Sequence, residues 1–172
     1  MRVHVLHLVA GGQRYALPTA CVVEVVPAVA LRAVPDVPGS VAGLLDYRGQ
    51  GVPVVDLARR LGVPPAPPAF ATRIVVCERR AAVTGPAAQS IGNARPLLGI
   101  LAADVTQVGT LDPEAAGSHP GPTPEGERAL GRVTHDEQGL VQLVEVEGLV
   151  SAELLARLDG AGSVGAAHAG GA

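Results

Sequence analysis

Apolar and polar positions along this chain alternate in short runs broken by glycine and proline, the period of strands rather than helices. Residues 3–9, Val-His-Val-Leu-His-Leu-Val, and residues 15–17 flank Gly11-Gly12 and predict a β-hairpin; residues 21–26 predict the next strand. Pro35 and Pro38 hold the following stretch extended and remove two amide donors. Residues 44–46 and 52–55 then predict two strands about a tight turn at Tyr47-Arg48-Gly49, where the glycine accommodates positive φ. Pro53 is compatible with a strand only at an edge, an end or a bulge. Asp56 predicts the cap of one helical turn over 57–61, stopped by Gly62. Residues 63–68 form a stiff proline linker.

The second part of the chain repeats the style. Residues 74–77 and 97–101 predict another hairpin, separated by the Gly-, Ala- and Ser-rich stretch 78–96, which reads as an exposed loop. A second polar, proline-bearing segment covers 113–127. Ser151 predicts a helix cap, with Leu154, Leu155 and Leu158 on one face, and residues from 160 on have no packing pattern. Two blocks also match across the halves in the same order. Gly43, six residues and Gln50-Gly51 correspond to Gly131, six residues and Gln138-Gly139. Tyr15-Ala16-Leu17 with Ala20, Val22 and Val25 corresponds to Leu98-Gly99-Ile100 with Ala103, Val105 and Val108. Both lie at an offset of about 80 to 90 residues, which predicts an internal duplication and equivalent places for Gln50 and Gln138.

Composition narrows the class. A chain of 172 residues can bury a core, and with hydrophobic residues at 48%, no Trp, one Phe and two Tyr, that core must be Val, Leu, Ala and Ile. Gly 22 and Pro 15 favour many short strands. No apolar run has the length of a membrane span, and the first residues alternate like a strand rather than a secretion signal, so a cytoplasmic protein is expected. The net charge is −3, and all 13 basic residues are arginines, dispersed except for the pairs Arg59-Arg60 and Arg79-Arg80. Such a chain has neither the basic stripe nor the stacking aromatics of a nucleic-acid binder. Cys21 and Cys77 make no Cys-x-x-Cys pattern and are expected as reduced, largely buried thiols.

Catalytic chemistry is missing from the pattern. His4, His7, His119, His135 and His168 are scattered, and His4 and His7 point to opposite faces of a strand, so neither a metal site nor another cofactor is expected. Asp56 reads as a helix cap. Ser90, Ser118 and Ser163 lack nucleophile-elbow spacing, and Gly11-Gly12 is a turn with no Lys-Ser/Thr behind it. No enzyme is predicted.

What remains is surface for binding. Glu24 interrupts Val22-Val23-Glu24-Val25-Val26. The plainer account is an edge strand with a solubilising charge; alternatively, Val22 beside Glu24 on an outward face supplies a modest apolar-plus-charged contact. Arg48, at the tip of a rigid turn, is either displayed to a partner or braces the turn through Asp46 or Glu24.

At these residues the chain resembles the CheW-like coupling proteins of bacterial chemosensory arrays. The resemblance is carried by Val22-Val23-Glu24-Val25, Pro38-Gly39-Ser40-Val41-Ala42-Gly43, Arg48-Gly49 and Pro53-Val54-Val55-Asp56-Leu57. It continues in Leu98-Gly99-Ile100-Leu101-Ala102-Ala103-Asp104-Val105 and Gly139-Leu140-Val141-Gln142-Leu143-Val144-Glu145-Val146, and so covers about residues 3 to 158. It implies a mostly β fold of two SH3-like five-stranded β-barrels from an internal duplication, packed around a shared apolar seam, with a short C-terminal helix. The implied layout is one domain over 1–158, with subdomains of about 1–65 and 70–150, a helix of about 151–158 and a disordered tail over 159–172.

The resemblance also implies a non-catalytic adaptor that bridges the cytoplasmic tip of chemoreceptors to the regulatory domain of a histidine kinase, attached to receptor arrays without entering the membrane. Val22, Glu24, Gly43 and Arg48 match the partner-binding positions. Asp46-Tyr47 replaces the commoner Asn-Leu before Arg-Gly, which looks like coupling proteins of alternative, non-flagellar pathways. A generic SH3-like barrel binding RNA or ribosomes is the alternative from another class.

Overall fold

In the computed structural model, which describes residues 1–65, 71–79, 96–115, 119–120 and 129–164, the pattern of short alternating runs becomes ten strands. Strand β1 (Val3–Ala10) turns at Gly11-Gly12 into β2 (Gln13–Pro18), and a 3-10 turn, Thr19–Cys21, leads to β3 (Val22–Pro27). Then come β4 (Val41–Tyr47), β5 (Gln50–Asp56) and the helical turn α1 (Leu57–Arg60). The Asp56 carboxylate caps α1 by accepting from the Arg59 amide at 3.2 Å, and Gly62 takes φ +69° just beyond it. The second half contains β6 (Arg73–Glu78), the long β7 (Leu97–Leu111), a two-residue β8 (His119–Pro120), β9 (Leu130–Asp136), β10 (Gly139–Val144) and α2 (Ala152–Val164).

The hairpins do not stay with their own halves. β1 pairs antiparallel with the end of β7, from Val3↔Leu111 to Val9↔Ala103, and β2 pairs parallel with β10 at Tyr15↔Gln142. Reciprocally, β6 pairs antiparallel with β3, and the start of β7 pairs parallel with β5 at Val54↔Gly99. Each half lends its first hairpin to the other. One curled sheet is therefore β3-β6-β7-β5-β4, and the other is β7-β1-β2-β10-β9 with β8 outside; β7 runs through both. The break expected between residues 65 and 70 does not divide the sheets, because each half depends on the other for its central strands. A positive φ of 47° at Asp104 marks where β7 leaves one sheet for the other.

Reciprocal exchange is the arrangement expected of a duplicated sequence, although the predicted equivalence of Gln50 and Gln138 fails by one position. Ala16 beside Leu143 and Gly99 beside Val54 are the same relation with the halves interchanged, at offsets of about 80 to 90 residues. The hairpin tips differ by one position. Tyr47↔Gln50 encloses Arg48-Gly49, whereas Asp136↔Gly139 encloses Glu137-Gln138, so Gln50 matches Gly139 rather than Gln138. The register shift between Val41 and Gly43 recurs in the other hairpin between Gln142 and Val144, one extra residue on the first strand in each case.

Period-two burial builds three cores. In β6, Ile74 and Val76 face a small core with Leu45, Val52, Val54 and Leu97, while Val75 and Cys77 face a large seam that collects Leu8, Leu17, Leu57, Leu98, Ile100 and Leu149 from both sheets. Val5, Ala16, Leu111 and Val141 fill the interior of the other sheet. The expected barrels are thus two curled sheets sharing a seam. Neither closes by a continuous ladder of backbone hydrogen bonds among the described residues.

Ser151 caps α2 as expected, its hydroxyl accepting from the Leu154 amide at 3.3 Å, and Leu155 and Leu158 are buried. The helix continues past the predicted end at Leu158 to Val164. The reason is tertiary: Arg79, at the end of β6, donates to both carboxylate oxygens of Asp159 at 3.0 and 3.1 Å. Residues 165–172 of the predicted tail lie outside the described residues, as do 80–95 of the loop expected over 78–96. The polar segment 113–127 contributes β8, which pairs with β9.

Candidate partner-binding site

β3 lies at one edge of its sheet and β4 at the other. Along β3, Val23 and Val25 are exposed at 39% and 38%, while Val22 packs on the seam and Val26 on the small core. The expected outward Val22 therefore faces inward. Although Val22 opposes Cys77 and Glu24 opposes Val76, which makes Val23 a bulge, β3 keeps its alternation, and the face with Val22, Glu24 and Val26 is the one turned toward the core. Glu24 shares the inner side of the strand with Val22 and Val26, yet its side chain keeps 41% of its exposure because it stands at the gap between the two sheet edges.

The other edge supplies its partners. Arg48 at φ 52° and Gly49 at φ 81° make the two-residue turn between Tyr47 and Gln50, the left-handed pair of a type I′ hairpin. The Asp46 carboxylate accepts from the Gly49 amide at 3.0 Å and holds that turn in shape. Tyr47 donates its hydroxyl to Glu24 Oε2 at 2.5 Å, and Arg48 Nη2 donates to the same oxygen at 3.2 Å. The guanidinium also lies 5.2 Å from the centroid of the Tyr47 ring. The bond to Glu24 raises the Tyr47 phenol above the usual range, so it remains protonated and donating. The side-chain latch bridges edges that carry no backbone ladder between them.

Arg48 remains 77% exposed in this arrangement. One edge of the guanidinium is braced on Glu24 and Tyr47, and the rest is exposed to solvent. Gly43 lies elsewhere. It is buried at φ +145°, and a Cβ there would stand 2.6 Å from the Arg32 carbonyl oxygen, where residue 32 bridges to Leu44. Of the four expected site residues, the fold brings Glu24 and Arg48 together, packs Val22 on the seam and places Gly43 in the backbone of β4 beside Arg32.

Residues 4–154 match the family model of the CheW-like domain. The chain belongs to the CheW-like family. A probable chemotaxis protein CheW of Rhizobium etli is 27% identical over 142 residues, which is 82% of this chain and 83% of that protein. The crystal structure of the scaffolding protein TtCheW from Thermoanaerobacter tengcongensis has the same fold, with a TM-score of 0.70 and 19% identity over 88% of this chain and 90% of its own. Within this CheW-like chain, Tyr47 is the site residue that the sequence expectation omitted. Its signal was available: in a chain with only two tyrosines, one directly precedes Arg48-Gly49. Asp46 and Tyr47, the departures from the commoner Asn-Leu, shape the turn and close the latch.

Proposed function

We propose that this CheW-like chain is a non-catalytic adaptor that couples the cytoplasmic tips of chemoreceptors to the regulatory domain of a histidine kinase. The carrying observation is the rigid presentation of Arg48, fixed by a left-handed turn, a tyrosine ring and Glu24 yet 77% exposed. A guanidinium oriented before contact loses little freedom on binding and offers directional donors to carboxylates or carbonyls. Val23 and Val25, exposed on the adjoining edge strand, supply apolar contact beside it. Glu24 aims the guanidinium, while Val22 and Gly43 support the strands that carry it. Other arginines serve internal pairs, Arg14 with Asp136 and Arg79 with Asp159, which favours a protein partner over a basic nucleic-acid face.

The names of the relatives support this assignment: one is a chemotaxis protein and the other a scaffolding protein. The Asp46-Tyr47 variation supports service in an alternative, non-flagellar pathway. No helix among the described residues is long and apolar enough to cross a membrane, and association with an array would run through the receptor tips.

Calorimetric binding of the purified chain to a receptor cytoplasmic fragment and to a kinase regulatory domain from the same genome tests the proposal. Arg48→Ala should weaken at least one of these affinities about tenfold, roughly 1.4 kcal/mol, with an unchanged melting temperature. Wild-type affinity for both partners in a normally folded Arg48→Ala protein would overturn the assignment of this turn as the contact. Failure of the unaltered chain to bind either partner would overturn the adaptor function itself.

A further inference from the structure

The two cysteines of the chain, distant in sequence, meet at the start of β3. Cys77 is the Cα partner of Val22 in the antiparallel β3–β6 pair, and Cys21 is the residue immediately before Val22. Antiparallel Cα partners stand about 4.5 to 5.5 Å apart, so the neighbouring Cys21 begins within short reach. Cys21 also belongs to the 3-10 turn Thr19–Cys21 rather than to the strand, and so escapes the strand's alternation. It packs, as Cys77 does, on the large apolar seam, where its thiol donates to the Pro18 carbonyl at 3.0 Å and the Cys77 thiol approaches the Val75 carbonyl at 3.8 Å. Cys77 is fully buried, whereas Cys21 is only partly so.

We propose that Cys21 and Cys77 are a peroxide-reactive pair that closes to a reversible intramolecular disulfide, stapling the start of the edge strand β3 to β6. The partly exposed Cys21 reacts first: its sulfur displaces one oxygen of a hydroperoxide, taking the other as a sulfenic acid and releasing water or the corresponding alcohol. Cys77 then attacks the Cys21 sulfur, and the sulfenic oxygen leaves as water. In sum, two thiols lose two protons and two electrons to the peroxide, and a thiol reductant reverses the change. The electrostatics favour that order. The neighbouring Cys77 thiol holds the Cys21 thiol low, Cys21 and burial raise Cys77, and the nearby Glu147 carboxylate opposes ionisation of both.

Wild-type protein treated with hydrogen peroxide, unfolded in an alkylating agent and mapped by mass spectrometry should lose both free thiols together. It should yield one intrachain Cys21–Cys77 crosslinked peptide that dithiothreitol removes. Cys77→Ala should stop at a Cys21 sulfenic acid, trapped by dimedone, and Cys21→Ser should leave Cys77 alkylatable. The wild-type map decides the matter even if Cys77→Ala does not fold. Oxidised Cys21 beside a still alkylatable Cys77, crosslinks found only between molecules, or two thiols that both survive the peroxide would each overturn the proposal.

Discussion

The phenol of Tyr47 and the carboxylate of Glu24 meet at 2.5 Å across the gap between β4 and β3, the two edges of one curled sheet. The second sheet carries a counterpart: Gln138, in the β9–β10 turn, lies 3.5 Å from Gln107 of β7. Glu24 and Gln107 fall within matched stretches of the repeat, Val22 to Val25 and Val105 to Val108, and both tips are two-residue hairpin turns. The same closure is thus made twice, once with a carboxylate, a phenol and a guanidinium and once with two neutral amides. The first closure holds a guanidinium, whereas the second is made by amides alone.

Arg48 occupies a left-handed backbone conformation that disfavours any side chain with a Cβ, by about 1 kcal/mol or more. Arg48→Gly should therefore melt at or above the wild-type temperature, since its exposed pair with Glu24 contributes little. The same variant should bind receptor or kinase fragments at least tenfold more weakly. A destabilised Arg48→Gly protein would show that the guanidinium is chiefly a brace.

Gly43 should behave oppositely. A Cβ at 2.6 Å from the Arg32 carbonyl meets backbone that cannot swing aside, and φ +145° is itself unfavourable for alanine. Gly43→Ala is expected to cost about 1 to 3 kcal/mol in urea unfolding, and any binding loss should follow the unfolded fraction. An unchanged urea midpoint would mean that the Arg32 bridge yields freely.

Acid should weaken the fold through the other sheet. Arg14 of β2 donates to both carboxylate oxygens of Asp136, while the His7 ring lies 3.5 Å from Arg14 and 3.9 Å from Asp136. Burial, followed by the Arg14 charge, holds His7 below the ordinary value of 6.5, and the Arg14 bond holds Asp136 below 3.8. In both cases the unfolded chain binds the proton more readily. Stability is then full above about pH 6.5, declines as pH falls through the histidine range, and declines again below about pH 4. Urea midpoints at pH 8 and 5 should differ less for His7→Gln than for wild type; equal differences would remove His7 as the cause.

The extension of α2 rests on Arg79, whose side chain is only 10% exposed where it binds Asp159. Asp159→Asn should cost about 1 to 2 kcal/mol and raise hydrogen exchange in the last turns of α2, while amides of β6 stay protected. Unaltered exchange in α2 would show that apolar packing of Leu155 and Leu158 suffices.

Local features were legible because neighbouring residues decide them. Gly11-Gly12 and Arg48-Gly49 set hairpin turns through their own φ, Asp56 and Ser151 cap the helical segments that follow them, and alternation marks the strands. Glu24 and Arg48 were also visible as charges at special backbone positions. The tertiary structure decided which strands became neighbours. β6, buried on both faces, reads as a uniform apolar run that would suit either sheet, and only burial of the shared seam commits its hairpin to the other half. The same long-range packing turned the Val22 face of β3 inward, placed Arg32 over Gly43 and brought Tyr47 to Glu24. Each of these depends on which residues face one another after folding, and no spacing along the chain encodes that choice.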